Sequence, residues 1–201
     1  MKILFAIVIF SVFIIFVVYL TSCNSGKKPD TLNGTQIADN RDTSNKVNHY
    51  ADLRSIAFSI TPDQLGIKVD QKETKVYGVI MEWGMDDATV TVVSFLSGDA
   101  SLYLSSGFAV IGGIKHEKIQ HAAVTFTSRA AQFIDMAAMT ETTPQPGKDI
   151  VRFYLLTNKG KFVIQETIKN LDEKTSKYEE LFSLGNVLIK EIRLVADKKE
   201  K

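Results

Sequence analysis

The sequence has few of the residues that usually carry covalent or metal chemistry. Its 201 residues include one cysteine, three histidines, one tryptophan and four prolines. A single cysteine excludes an intramolecular disulfide and a zinc site built from several cysteines. No segment repeats at a period of 20–50 residues, which argues against solenoid and propeller architectures.

An excess of one charge is also missing. The chain has 24 Lys and Arg against 23 Asp and Glu, and Lys2 is the only charge before residue 23. The rest of the chain therefore carries 23 of each sign and nets zero. Nucleic-acid-binding proteins usually show a basic excess or a clustered basic patch. We expect no nucleic-acid partner.

The chain does have one long apolar run, from Ile3 to Leu20, which follows Lys2 and contains no charge. The apolar core of a secretory signal is usually about 7–15 residues long, whereas a membrane-spanning helix needs roughly 20. The length of this run fits either a cleaved signal or a retained anchor.

The run ends in Leu20-Thr21-Ser22-Cys23, which resembles the lipobox of bacterial lipoproteins. The resemblance implies a signal peptide over residues 1–22 and a diacylglyceryl group on the sulfur of Cys23. It also implies a new amino terminus at Cys23, which in that family is often acylated as well. We expect a protein anchored in the bilayer through acylated Cys23 and facing outside the cytoplasm. Asn24 rather than aspartate favours the outer membrane, where the cell has one. A single uncleaved N-terminal transmembrane helix is the alternative.

Residues 23–48 are interpreted as the lipidated cysteine and a flexible linker. Residues 24–48 are rich in Asn, Asp, Thr, Ser, Gly and Lys, and such a segment cannot bury enough apolar area to offset its ordering entropy. A coil of this length has an end-to-end distance of roughly 25–30 Å. Residues 49–201 then form a single globular domain of ordinary size.

Apolar periodicity in this domain predicts an α+β fold. Helical spacing begins at Tyr50, and a second helical stripe runs from Ile119 to Ala137. The last helix is expected to start with a capping box of Ser176 and Glu179. Strand patterns cover residues 76–83, 88–96, 100–105, 150–157 and 161–168. This predicts one five-stranded, mainly antiparallel sheet with flanking helices. The order of elements is similar to profilin-like and roadblock- or longin-type domains, a resemblance of order alone.

Catalytic candidates are few. Ser105 and Ser106 follow a predicted strand, His116 opens the next helix, and Asp99 lies in the preceding turn. These residues can be written as a Ser/His/Asp set, but no G-x-S-x-G elbow accompanies them. We favour strand-end and helix-start roles for them. A small envelope hydrolase using Ser105 or Ser106 with His116 is the alternative.

Ligands for a metal or cofactor are not indicated either. His116 and His121 are five residues apart, whereas helical chelates use a spacing of four. We therefore predict no metal site and no cofactor. Glu82, beside the single tryptophan, is expected either at a binding edge or on an exposed rim.

One loop suggests binding. The segment from Ser105 to Ile114 is apolar and nearly free of charge, so Phe108, Ile111 and Ile114 would form an interaction patch if exposed. We favour its burial as the path into the next helix. The preferred functional hypothesis is a membrane-tethered, non-catalytic interaction module. Its partner would be a protein or envelope component, bound through the sheet edge or this loop.

Overall fold

Seven strands form one antiparallel sheet in the computed structural model, which describes residues 49–199. The strands are β1 (Val76–Gly84), β2 (Thr89–Phe95), β3 (Ala100–Leu104), β4 (Ala109–Val110), β5 (Ala138–Thr140), β6 (Ile150–Thr157) and β7 (Gly160–Thr167). The helices are α1 (His49–Ser59), α2 (Glu117–Ala130), α3 (Ile168–Asp172) and α4 (Glu179–Lys199). Short 3-10 turns cover Asp63–Leu65, Gly113–Lys115 and Ala131–Met136.

The predicted α+β class with one antiparallel sheet is confirmed, but the predicted number of strands, five, is wrong. The order across the sheet is β4-β3-β2-β1-β6-β7-β5, and each neighbouring pair is antiparallel. The two missed strands, β4 and β5, are two and three residues long and lie at the edges. Strands this short carry no readable alternation, because a period of two needs several residues to show.

The strand pairing sorts the side chains of the central strands onto two faces. Met81 lies opposite Val92 and points to one face, whereas the next pair, Glu82 and Thr91, points to the other. Side chains alternate along a strand, so each strand supplies both layers. This explains why β2, with its alternating Thr and Val, is buried along its whole length.

Two helices, α2 and α4, cover the first face, which we call the apolar face. A stripe on each helix is buried against the sheet and against the other helix, as its 3.6-residue spacing predicts. The buried residues of this face include Val79, Met81, Val92, Ala123, Phe126, Phe153, Leu188 and Ile192.

A single helix, α1, crosses the second face, which we call the polar face. Only two of its eleven residues, Tyr50 and Ala57, are buried. They pack on a largely aromatic layer from the sheet that includes Tyr77, Phe95, Tyr103 and Tyr154.

Two local predictions need correction. The helix expected to run to Ala137 ends at Ala130 and continues as a 3-10 turn, because Ala137 adopts an extended conformation leading into β5. At the start of α4, the Ser176 hydroxyl accepts from the Tyr178 amide but Glu179 binds Lys174. A reciprocal capping pair forms elsewhere, between Thr61 and Gln64.

The predicted signal, Cys23 and linker lie outside the described residues. Residues 49–199 lie within one compact unit. Within residues 49–199, no helix combines the length and the apolar character needed to cross a bilayer.

Candidate functional site: a groove beside the first helix

An ion pair attaches α1 to the sheet. Arg54, in the middle of the helix, donates from Nε and Nη2 to the two carboxylate oxygens of Glu82 on β1, at 2.6 and 2.8 Å. Its Nη2 also donates to the Thr143 carbonyl at 2.5 Å. The Glu82 side chain is fully buried, and the Arg54 side chain is 13% exposed. The fork of two parallel hydrogen bonds fixes the position of the helix as well as its attachment.

A chain of hydroxyl groups completes the surroundings of Glu82. The Thr91 hydroxyl donates to Glu82 Oε1 at 3.1 Å. Because the proton of Thr91 is used in this bond, the Tyr50 hydroxyl is the donor in its 2.8 Å hydrogen bond to Thr91. Burial, with a smaller contribution from the Glu82 charge, raises the pKa of Tyr50, so the phenol stays protonated as a donor. Among residues 49–199, no buried side-chain nitrogen or oxygen lacks a partner.

The electrostatics of Arg54 follow from the same contacts. Burial disfavours the charged guanidinium, but the hydrogen bonds and the charge of Glu82 outweigh burial and raise the pKa of Arg54. The cation also lies 4.8 Å from the centre of the Phe58 ring, a contact that adds to its stabilisation. Arg54 and Glu82 therefore form a fully satisfied pair that holds α1 in place.

An apolar groove lies beside the attached helix. Its volume is about 220 Å³. One wall is α1, through Leu53, Ile56 and Ala57, and the floor is the sheet, through Val93 and Tyr103. Because α1 lines one side of the groove and is attached to the sheet by the Arg54–Glu82 pair, the shape of the groove depends on that pair.

The far wall comes from the connector after β4. Ile111 and Gly112 line this side of the groove, and Gly112 has a φ of 82°, a backbone conformation that favours glycine. Ile111 is 61% exposed and Ile56, across the groove, is 57% exposed. The mouth therefore presents two large aliphatic side chains to solvent.

One end of the groove is polar. Asp99 and Ser101 line it together with Ala100. The Asp99 carboxylate accepts a hydrogen bond from the Ser97 hydroxyl at 3.1 Å, and this residue is half-buried in the turn between β2 and β3. The groove thus combines apolar walls with one acidic residue.

The structure separates the residues of the alternative Ser/His/Asp set along β3. Asp99 precedes β3 and Ser105 follows it, so the five residues of this strand, and about 20 Å of extended chain, separate them. Ser105 Oγ accepts from the Thr89 amide at 2.8 Å, which joins the end of β3 to β2. Ser106 is exposed in the turn that follows.

His116 lies at the Asp99 end of β3. It precedes α2, whose first turn packs on the β2–β3 turn: a Cβ on Gly98 would approach Gln120 Cγ to 2.3 Å. His116 therefore lies near the end of β3 opposite to the one that Ser105 follows.

The structure places one residue of the predicted binding loop at the groove. Phe108 is half-buried and its carbonyl accepts from the Leu104 amide at 2.8 Å. Ile111 lines the groove mouth, so the expected burial of the loop is wrong at this residue. Ile114 belongs to the 3-10 turn Gly113–Lys115, and its side chain lies outside the described part.

Reasoning from the sequence missed Arg54 and misplaced Glu82. Glu82 lies neither on a rim nor at a binding edge, because its side chain is fully buried under α1. The signal was present: a carboxylate inside the apolar strand Val76–Gly84 requires a cation from another element. No spacing rule pointed to Arg54, which lies 28 residues earlier.

Comparisons with known proteins do not add to this picture. No family model, no curated protein and no solved structure matches the chain. Within residues 49–199, no three side chains of His, Cys, Asp or Glu are grouped to hold a metal ion.

Proposed function

We propose that this protein is an envelope lipoprotein whose globular domain binds a protein partner through the groove beside α1. The observation that carries the proposal is the apolar groove with Ile56 and Ile111 exposed at its mouth. Single exposed aliphatic residues are common, but two that line the same apolar groove from different elements are typical of an interaction site.

The size of the groove favours a protein partner. Its volume of about 220 Å³ lies below the roughly 300–1,000 Å³ of pockets that enclose drug-sized ligands. A volume of this order suits one side chain of a partner, inserted as an anchor at the centre of an interface. The role is non-catalytic, because the groove supplies apolar contact and one carboxylate.

The hydrolase alternative has weaker support. It needs a serine, a histidine and a carboxylate within hydrogen-bonding reach of one another. Ser105 and Asp99 lie at opposite ends of β3, and the Ser105 hydroxyl accepts a backbone hydrogen bond. The groove offers a specific binding surface, so we prefer the binding role.

The anchor in the proposal is acylated Cys23, on the resemblance of Leu20–Cys23 to a lipobox. Cells that express the full chain, or its Cys23→Ala variant, should be labelled with radioactive palmitate. We expect label on the wild type alone, and a mature chain shorter by residues 1–22. An unlabelled wild-type chain that keeps these residues in the membrane fraction would establish the transmembrane alternative instead.

The groove is tested by photo-crosslinking in living cells. A photoreactive amino acid replaces Ile111 at the mouth, and in a matched control it replaces Val187 on α4, which is 46% exposed. We expect a discrete heavier adduct from position 111 only. A second substitution, Ile56→Ser, should weaken that adduct because it removes the opposite apolar wall. Equal adducts from positions 111 and 187 would disprove a specific groove partner.

A further inference from the structure

We infer that the groove receives an arginine side chain of the partner, with its guanidinium on Asp99 and its aliphatic stem along the apolar walls. The inference rests on the proposed function, since it names the group that the groove binds. Three observations on the groove support it: its volume, its apolar lining and the position of its single carboxylate.

The lining fits the stem of a long cationic side chain. Leu53, Ile56 and Ala57 on α1 face Val93 and Tyr103 of the sheet across the groove. Arginine and lysine both cover apolar surface with their methylene groups while the charged end reaches a polar site. A leucine or phenylalanine would fill the same walls but would leave the Asp99 end of the groove without a polar contact.

Asp99 supplies the charge for the other end. Its carboxylate has the Ser97 hydroxyl as a partner, and none of the ion pairs formed by the described side chains involves it. Glu82 shows the contrast, because its carboxylate is fully occupied by Arg54 and Thr91. A half-buried aspartate that lines an apolar groove is complementary to a cation that arrives with an apolar body.

Arginine fits better than lysine for two reasons. The guanidinium is planar and donates two parallel hydrogen bonds to one carboxylate, whereas an ammonium acts as a point charge. The guanidinium is also more weakly hydrated, so it loses less on entering a partly dry groove. The same fork already operates on this face, where Arg54 binds Glu82.

The test uses the full chain in phospholipid nanodiscs with labelled isoleucine methyl groups. The probes are two capped tripeptides, Leu-Arg-Leu and Leu-citrulline-Leu, which differ in charge but hardly in shape. The methyl signals of Ile56 and Ile111 report binding at the groove, and that of Ile164, buried on the apolar face, is the control. We expect the arginine peptide to bind about fivefold more tightly, the preference of a partly exposed ion pair.

Two variants separate the charge from the groove. Asp99→Asn keeps an acceptor for Ser97 and should remove the preference for arginine while weak binding of both peptides persists. Ile111→Ser should weaken both peptides and keep the ratio between them. Equal binding of both peptides to the wild type, or a preference that survives Asp99→Asn, overturns the arginine inference alone. If neither peptide moves the Ile56 and Ile111 signals, the arginine inference fails. The proposed groove partner is tested separately, by the crosslink from position 111.

Discussion

The two faces of the sheet are covered in different ways. On the apolar face, α2 and α4 bury large side chains such as Phe126 and Leu188 completely. On the polar face, α1 buries only Tyr50 and Ala57 and depends on the pair between Arg54 and Glu82. Apolar burial is strong but has no direction, whereas a forked ion pair is directional. Both faces bury large side chains, and the pair on the second face additionally fixes the position of one helix.

This difference bears on the proposed site. The groove lies on the polar face, with α1 as a wall. A helix held mainly by apolar contact can slide, because such contacts are similar in neighbouring registers. Arg54 binds Glu82 in one register, so the wall of the groove is fixed relative to its floor.

The largest expected effect lies on the apolar face. Phe126→Ala removes a fully buried ring from between α2 and the sheet, and such truncations cost about 3–5 kcal/mol. Urea unfolding should show the loss in a single transition. Val124→Ala, on the same helix but 37% exposed, should change the free energy of unfolding by less than about 0.5 kcal/mol. Similar losses from both variants would contradict the assignment of the core to this face.

The polar face is tested by Arg54→Met, which leaves Glu82 buried without its cation. We expect a loss of about 2–3 kcal/mol, below the full cost of breaking a buried pair because Arg54 is 13% exposed. Hydrogen exchange should show that the amides of α1 lose protection before those of α2 and α4.

Two further variants sharpen this result. Arg54→Met with Glu82→Met removes both charges and should recover most of the loss. Arg129→Met breaks a pair whose side chains are 48% and 46% exposed, and should cost less than about 1 kcal/mol. If the double variant is no more stable than Arg54→Met, the loss does not come from leaving the Glu82 carboxylate buried without its cation.

A glycine contact at the end of β1 should give a smaller effect. A Cβ on Gly84 would lie 2.0 Å from the Gly147 carbonyl oxygen, whereas a Cβ on Gly147 would meet open space. Gly84→Ala should therefore cost about 1–3 kcal/mol through backbone displacement. Gly147→Ala should be neutral or stabilising, since alanine restricts the unfolded chain. Thermal unfolding of both variants checks the opposite signs.

The smallest effect concerns the acid stability that Glu166, near the end of β7, contributes. Some burial opposes the Glu166 charge, but hydrogen bonds from the Thr167 amide, Ser176 and Asn170 outweigh it and lower the pKa of Glu166. A carboxyl group with a lowered pKa in the folded state contributes stability above its unfolded pKa, about 4.3, and loses it as pH falls through the folded pKa.

Glu166→Gln tests this contribution. Since the group is largely solvated, we expect a few tenths of a kcal/mol. Urea unfolding between pH 3 and 7 should show a shallower acid decline in the variant than in the wild type. Parallel declines would show that Glu166 does not contribute to acid stability.

Much of the fold could be predicted because its signals are local. Alternating Val and Thr over Thr89–Phe95 and the stripe on α4 both report which side chains meet an apolar layer. The pairing of Arg54 with Glu82 could not be predicted, because it joins residues 28 positions apart through the fold. Ile111 could be predicted as part of a binding loop, and it lines one side of the groove. The opposite side could not be predicted, because it depends on where α1 crosses the sheet.

The short edge strands have a consequence for behaviour at high concentration. Sheets join edge to edge through unpaired backbone groups, and long flat edges promote aggregation. Here β4 and β5 end the sheet with two and three residues, so a neighbouring molecule could add only a few hydrogen bonds. Many copies could therefore be crowded together while each remained a separate particle.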